Sequence, residues 1–323
     1  MFYRDKRVLV TGGTGFIGNP IVRALVEEGA RVRVPVHLRA LSPDLTTVET
    51  MPADLMRWED CLNAAHGIDY VVHAAGTVGA AGVGDYQVME GITKNLHLTA
   101  NMLQAAWKEN VKKIVIFGSS TGYPAYSHPV REEEMWLDEP HPAYFGYGWM
   151  RRYAEKLGEY VTRQSPCTAV VIRPSAVYGP GDNFREDTSH VIPALIRRAV
   201  QGESPYVVWG SGNEVRDFIH VADFARGCLL ALEKCTRFDP INIGSGKAHT
   251  VREIVGVILD AVGRKDLPVL FDSAKPSTIP FRMMATEKAR DMLAFEPQIP
   301  IERGIKDTVQ WYTSTLAGSR HGV

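Results

Sequence analysis

The chain has 323 residues, 45% of them hydrophobic and 23% charged, with a formal net charge of -1. That length can bury a large core and hold about two domains, while the near-neutral charge argues against a polyanionic partner such as nucleic acid. No apolar run reaches the ~18 residues of a membrane span, and the scattered Cys61, Cys167, Cys228 and Cys235 make neither a zinc site nor a disulfide framework, so no metal and the reduced thiols of a cytoplasmic protein are expected.

The opening Met-Phe-Tyr-Arg-Asp-Lys enters a strand at once, so no signal peptide is expected. The apolar run Arg7 to Val10 predicts a buried parallel strand. It leads into Gly12-x-x-Gly15-x-x-Gly18, and an amphipathic helix follows with Ile21, Val22, Leu25 and Val26 on one side. Strand, glycine turn and helix form a dinucleotide cradle. Gly12 permits a turn that a side chain would block. Gly15 lets the backbone approach a pyrophosphate, and Gly18 lets the helix sit close. Phe16 and Ile17, between them, complete the cofactor-facing turn. The helix N-terminus offers free N–H groups and positive dipole to phosphates.

Arg31 to Val36 reads as the second strand, weakened by Pro35, which cannot donate to a ladder. Its tip carries His37 and Arg39, with no acid until Asp44. An acid there would accept the 2′-hydroxyl of NAD, whereas basic residues suit the 2′-phosphate of NADP. NADP(H) is therefore favoured over NAD(H), unless Arg39 is only a solvated loop residue. Thr47 to Met51 with Ala53 to Leu55 reads as the third strand and its end. Asp54, with Leu55, is placed at the adenine, or Asp54 is a plain helix cap. The strand Asp69 to Gly76 ends in Ala74, Ala75 and Gly76, small enough to leave room for a cofactor.

The Gly/Ala-rich loop from Thr77 to Tyr86 could flex over the site. In the helix from Val88 to Glu109, Asn95 is a poor interior residue. It bonds backbone, holds a water at the cofactor, or is a tolerated surface polar group. Val111 to Phe117 is the fifth strand, ending Gly118-Ser119-Ser120-Thr121, and Cys167 to Arg173 the sixth, ending at Pro174.

Strands alternating with helices predict an α/β fold, a doubly wound parallel Rossmann sheet with a smaller C-terminal α/β substrate lobe. Residues 1–175 form the dinucleotide-binding domain, with 217–250 returning to it. Residues 176–216 and 251–313 form the lobe, and 314–323 a frayed tail.

Tyr147 and Arg151 are four apart in Tyr147-Gly148-Trp149-Met150-Arg151, on one face of a helix. With the glycine trio and Ser119, this stretch resembles the extended short-chain dehydrogenase/reductases, with Arg151 at the lysine of their Tyr-x-x-x-Lys helix and Glu155 at a glutamate often found later in it. The resemblance implies that Tyr147 is the general acid/base, that Ser119 hydrogen-bonds the reacting oxygen, and that residue 151 holds the nicotinamide ribose. An arginine keeps the lysine's charge but does not give up a proton. The alternative is a tyrosine that is merely packed.

Arg173-Pro174-Ser175-Ala176-Val177-Tyr178-Gly179-Pro180-Gly181-Asp182-Asn183-Phe184 resembles the nucleotide-sugar epimerases and dehydratases. Thr188 to Ile196 is similar to the GDP-fucose synthases, which epimerise a GDP-4-keto-6-deoxymannose at two carbons and reduce a third with NADPH. Trp209-Gly210-Ser211-Gly212, Arg216 to Asp223 and Lys275-Pro276 fit the same pattern. The resemblance implies a nucleotide-diphosphate sugar as substrate, held by Ser120, Ser175, Asn183, His190, Val191, Leu195, Trp209, Arg216 and Lys275, with Arg216 on the pyrophosphate. It gives His190 an acid/base role and places Thr121 where those enzymes carry a catalytic cysteine. A threonine hydroxyl is too weak an acid to replace that thiol. His190 alternatively only starts a helix. A homodimer through a four-helix contact follows by analogy alone.

Three functions remain open at this point. One is a 4-keto reductase consuming NADPH. The second is a redox-neutral 4-epimerase with tightly bound NAD. The third is a weakly catalytic cofactor-binding scaffold or sensor.

Overall fold

The computed structural model describes residues 1–77, 85–275 and 279–320. Most of the Thr77 to Tyr86 loop, Pro276 and the last three residues lie outside them. The first half runs β1 (Arg7–Thr11), α1 (Gly18–Glu27), β2 (Arg31–Val36), β3 (Glu49–Pro52), α2 (Trp58–Ala65), β4 (Tyr70–His73), α3 (Asp85–Lys108), β5 (Lys113–Phe117), α4 (Phe145–Gln164) and β6 (Thr168–Pro174). The second half runs β7 (Ala176–Tyr178), α5 (Val191–Gln201), β8 (Tyr206–Trp209), β9 (Val215–Arg216), β10 (Phe218–His220), α6 (Val221–Lys234), β11 (Ile241–Ile243), β12 (His249–Thr250), α7 (Val251–Val262), β13 (Val269–Asp272), β14 (Phe281–Arg282), α8 (Glu287–Leu293) and α9 (Ile301–Arg320).

Seven strands form one parallel sheet in the order β11-β6-β5-β4-β1-β2-β3. Alternation along each strand splits the core. Val8 and Val10 join Ile21, Val22 and Phe224 under α1 and α6, whereas Leu9 joins Cys61, Met102 and Leu103 under α2 and α3. A parallel sheet covered on both faces needs such continuously apolar strands. Strand order reverses at β1, between β2 and β4, and this opens the crevice where doubly wound folds bind ligands. Pro35 is tolerated because the ladder with β1 ends at Arg33, leaving only β3 alongside.

After β6 the chain builds a smaller unit. α5, α7 and α9 pack around Ile196, Tyr206, Ile254, Ile258 and Ile305, with β8 paired to β13 and β9 lying between β12 and β14. β11 then returns to the large sheet beside β6.

Two expectations change. The third strand is the shorter Glu49–Pro52, and the Leu55 side chain beyond it joins the core. The tail expected to fray from residue 314 continues α9 to Arg320, with the Ser314 and Thr315 hydroxyls bonded one turn back to Gln310 O and Trp311 O.

Candidate active site

The glycine turn is built for close approach. Gly12 has φ +66°, and a Cβ there would lie 2.7 Å from both Ala74 O and Ala75 N. A Cβ on Gly18 would collide with the Gly12 carbonyl, so this glycine fits the helix against the turn itself rather than the sheet. A Cβ on Gly15 would come 3.2 Å from Gly12 O, and one on Gly13, missed in the sequence reading, would strike Val34. No side chain caps Ile17 at the start of α1. These are the features a dinucleotide requires: bare backbone and an open helix end. Phe16 meets the segment containing Gly181, so the turn touches the first loop of the smaller unit.

Beyond β2, His37 and Arg39 are exposed. Asp44, the first acid downstream, is engaged by Arg23 at 2.5 Å and by Ser42 at 2.6 Å, and the Arg23 guanidinium holds its carboxyl well below the usual range. Asp54 does not cap α2, whose N-cap is Arg57; its carboxylate accepts Met56 N–H at 3.0 Å.

Next to the end of β4, Asn95 is not a surface residue: it bonds backbone. It is buried, accepts Thr77 N–H at 2.9 Å and donates to Thr77 O at 2.8 Å. It splints the backbone after Ala74, Ala75 and Gly76. The sequence reading also passed over His73. Its Nδ1 lies 2.8 Å from Thr11 Oγ1, which accepts Ala75 N–H at 3.1 Å. Its Nε2 is buried with no hydrogen-bond partner among the described residues. Burial, and then the charge of Arg151, hold its pKa down to about 3. Two sequence signals were present: a polar residue ending an apolar strand, and a threonine at the end of the strand beside it.

Ser119 caps a 3₁₀ turn, Ser120–Gly122, just past β5. Three contacts tie α4 to that turn. Arg151 Nη1 donates to Phe117 O at 3.0 Å, Arg152 Nε donates to Gly122 O at 2.8 Å, and a Cβ on Gly148 would lie 2.7 Å from Thr121 O. Gly148 thus lets the first turn of α4 lie on the serine turn, bringing Ser119, Thr121, Tyr147 and Arg151 together. The Tyr147 hydroxyl packs against α3, 2.6 Å from where a Cβ on Gly91 would sit. Burial lowers the Arg151 pKa, and Tyr147 and Glu155 beside it counter that; a guanidinium stays charged regardless.

Beneath lies a buried lattice. Arg173 pairs with Glu155 through two bonds of 3.0 and 2.7 Å, and its Nη1 donates to Tyr123 OH and Glu132 O, both at 2.8 Å. Tyr123 OH donates to Asn242 Oδ1 at 2.6 Å, and Asn242 Nδ2 reaches Val130 O and Ala285 O. A charge pair this deep is tolerable only because its hydrogen-bonding positions are filled. The lattice joins α4, β6, β11 and the segment between β14 and α8. Pro174, next in β6, pairs with Ile243.

Across the crevice, β14 lies in parallel register with β9 and sets Arg282 beside Arg216. Arg282 packs 4.2 Å over the Tyr144 ring, its Nη2 buried and without a hydrogen-bond partner among the described residues. Burial, then Arg282, lower the Arg216 pKa. Two adjacent guanidinium groups favour an anion between them. Arg282 carried no sequence signal, since only the register reveals it. Ser120 and Arg282 line one recess with Tyr123 and Phe281, linking the two sides. Trp209 is 59% exposed, with Lys275 Nζ 5.8 Å from its ring centre.

The remaining expected substrate residues divide. His190 is exposed and N-caps α5 by position without a side-chain capping bond; its Nδ1 lies 3.7 Å from Asp182. Val191 is exposed beside it. Three others face inward or into their own loop. Leu195 is buried in the core of the smaller unit, where its apolar side chain belongs. The Ser175 hydroxyl is enclosed and its N–H bonds Ile243 O. Asn183 is spent inside its own loop, donating to Thr188 O and Oγ1 and accepting Arg185 N–H.

A bare glycine turn after β1, with serine, tyrosine and a cation gathered past β5, two strands away in the sheet, is an arrangement that suits a dinucleotide-dependent enzyme of the doubly wound class. Residues 8–244 match the NAD dependent epimerase/dehydratase family, and the chain belongs to it. It is 30% identical to a probable GDP-L-fucose synthase of Oryza sativa subsp. japonica, over 99% of this chain and 96% of that one. It is 30% identical to a dTDP-4-dehydro-6-deoxy-D-allose reductase of a Streptomyces species, over 96% and 97%. The solved structure of Thermotoga maritima UDP-glucose 4-epimerase with UDP-glucose superposes with a TM-score of 0.84 at 26% identity, covering 96% of this chain and 99% of that one.

Proposed function

We propose that this protein is an NAD(P)-dependent oxidoreductase of nucleotide-diphosphate sugars that acts by hydride transfer at a sugar carbon, with NADP(H) favoured over NAD(H). The observation that carries this reading is the packing of α4, which bears Tyr147 and Arg151, on the turn that bears Ser119 at the carboxyl edge of the sheet. Similarity to a GDP-L-fucose synthase and to a 4-dehydro-6-deoxy-sugar reductase supports reduction at carbon 4.

The glycine turn and the open end of α1 would hold the cofactor's phosphates, Arg151 its ribose in place of the family lysine, and His37 and Arg39 a 2′-phosphate. When bound, the nicotinamide supplies or takes up the hydride. Tyr147 moves the proton at the reacting oxygen, and Ser119 hydrogen-bonds that same oxygen. Arg151 supplies charge beside Tyr147 and releases no proton. Arg216 and Arg282 hold the substrate diphosphate, with Trp209 and Lys275 further along the nucleotide. His190, paired with Asp182, is a candidate proton carrier at the sugar. The exposed Trp107, Trp149, Tyr153 and Tyr160 on α3 and α4 support a homodimer through these helices, and the buried thiols suit a cytoplasmic protein.

The test is incubation with NADPH or NADH and either GDP-4-keto-6-deoxymannose or dTDP-4-keto-6-deoxyglucose. Stoichiometric loss of NADPH supports the reductase. Interconversion of a 4-hydroxy sugar without net cofactor use favours the 4-epimerase reading, which similarity to the Thermotoga enzyme supports. Cofactor binding without turnover of any nucleotide sugar leaves the scaffold reading. Titration of both cofactors, with Arg39→Ala, checks the preference: loss of NADP affinity alone is expected.

A further inference from the structure

Ser119 Oγ receives two hydrogen bonds from a single residue. The Thr121 N–H donates to it at 3.1 Å and the Thr121 hydroxyl at 2.9 Å. A serine oxygen has two acceptor sites and one proton. With the Thr121 hydroxyl as donor of the second bond, both acceptor sites are engaged, and the Ser119 proton is the only hydrogen-bonding capacity left and turns away from Thr121. The turn is also held from outside. Gly122 N–H donates to Ser119 O at 3.1 Å, and the Thr121 carbonyl packs on Gly148 at the start of α4, the helix that carries Tyr147. β-Branching narrows the rotamers open to Thr121, which keeps its hydroxyl on the serine.

We propose that Thr121 is a positioning residue that makes Ser119 an obligate hydrogen-bond donor to the reacting oxygen. This rests on the site assignment above. Two incoming hydrogen bonds polarise the Ser119 O–H, so its own bond strengthens as negative charge grows on the oxygen it faces. The same commitment removes Thr121 as a second acid/base: its proton is engaged by Ser119 and is not available to the opposite face of a sugar.

Neutron crystallography of the deuterated protein reads the arrangement directly. The Thr121 deuteron on Ser119 Oγ, with the Ser119 deuteron facing the crevice, is expected; a Ser119 deuteron on Thr121 Oγ1 overturns the proposal. A mutant cycle reads its effect with NADPH and the two 4-keto sugars named above. Thr121→Val should lower kcat about tenfold or more, with KM and the NADPH Kd unchanged, and Thr121→Ser should restore most of it. In a Ser119→Ala background Thr121→Val should cost almost nothing further. An equal loss with and without the Ser119 hydroxyl marks a merely structural threonine and sinks the idea. If the wild-type protein turns over neither sugar, the proposed function has failed, and the neutron result alone decides the positioning.

Discussion

The two sides of the crevice are made differently. On the sheet side the candidate binding surface is backbone: Gly12, Gly15 and Gly18 clear a path, the α1 end is uncapped, and the polar side chains nearby are tied down, Asn95 to the Thr77 backbone and His73 to Thr11. On the side of the smaller unit it is side-chain charge: Arg216 and Arg282 project from short adjacent strands, with Trp209 and Lys275 beyond. A backbone surface recognises by shape and tolerates little substitution. A charged surface recognises by sign and can lose one member while the rest of the fold stands. The first should fail completely when altered, the second by degrees.

The largest expected effect is at the hinge between them. Tyr147→Phe removes the proposed proton carrier and should lower turnover by roughly 10²–10⁴-fold, while cofactor still binds in a titration. Intact turnover would place the acid/base elsewhere and dissolve the comparison at its centre. Next is the buried lattice beneath the sheet side. Glu155→Gln leaves Arg173 charged, buried and half-paired, which should cost about 3–5 kcal/mol, read as a fall in the chemical denaturation midpoint. A loss under 1 kcal/mol would mean that the Arg173 charge does not depend on Glu155.

Arg216→Ala tests the charged side alone. It should weaken nucleotide-sugar binding by roughly 2 kcal/mol or more and leave the NADPH Kd unchanged in calorimetry. Equal loss for both ligands would put Arg216 in the scaffold.

The smallest effect is a pH dependence confined to the sheet side. The folded-state pKa of His73 is about 3 against an ordinary 6.5, so between these values the unfolded chain binds a proton that the folded chain excludes. Its contribution to stability is whole above pH 6.5 and is lost progressively as pH falls toward 3. Stability measured from pH 7 to pH 5 should therefore decline less steeply in His73→Gln than in the wild type. Parallel declines would show that His73 is not the neutral imidazole that its surroundings require.

The order of the strands, the glycine cradle and the Tyr147–Arg151 pair were legible in the amino-acid sequence because each is local: a periodicity, a spacing, a punctuation by glycine. So was the position of Ser119, since a residue that follows a buried parallel strand must emerge at its carboxyl end. What was not legible needed distance. Leu195, Ser175 and Asn183 sit in motifs yet serve the core or their own loop, and only packing tells an inward from an outward position on one segment. Asn95, His73 and the Thr121 bond to Ser119 depend on which backbone or hydroxyl lies alongside. The Arg216–Arg282 pair depends on the register of strands far apart in the chain. Local chemistry thus set the cofactor side by itself. The substrate side was decided by tertiary structure, because its charges act in concert only after folding brings separate strands together.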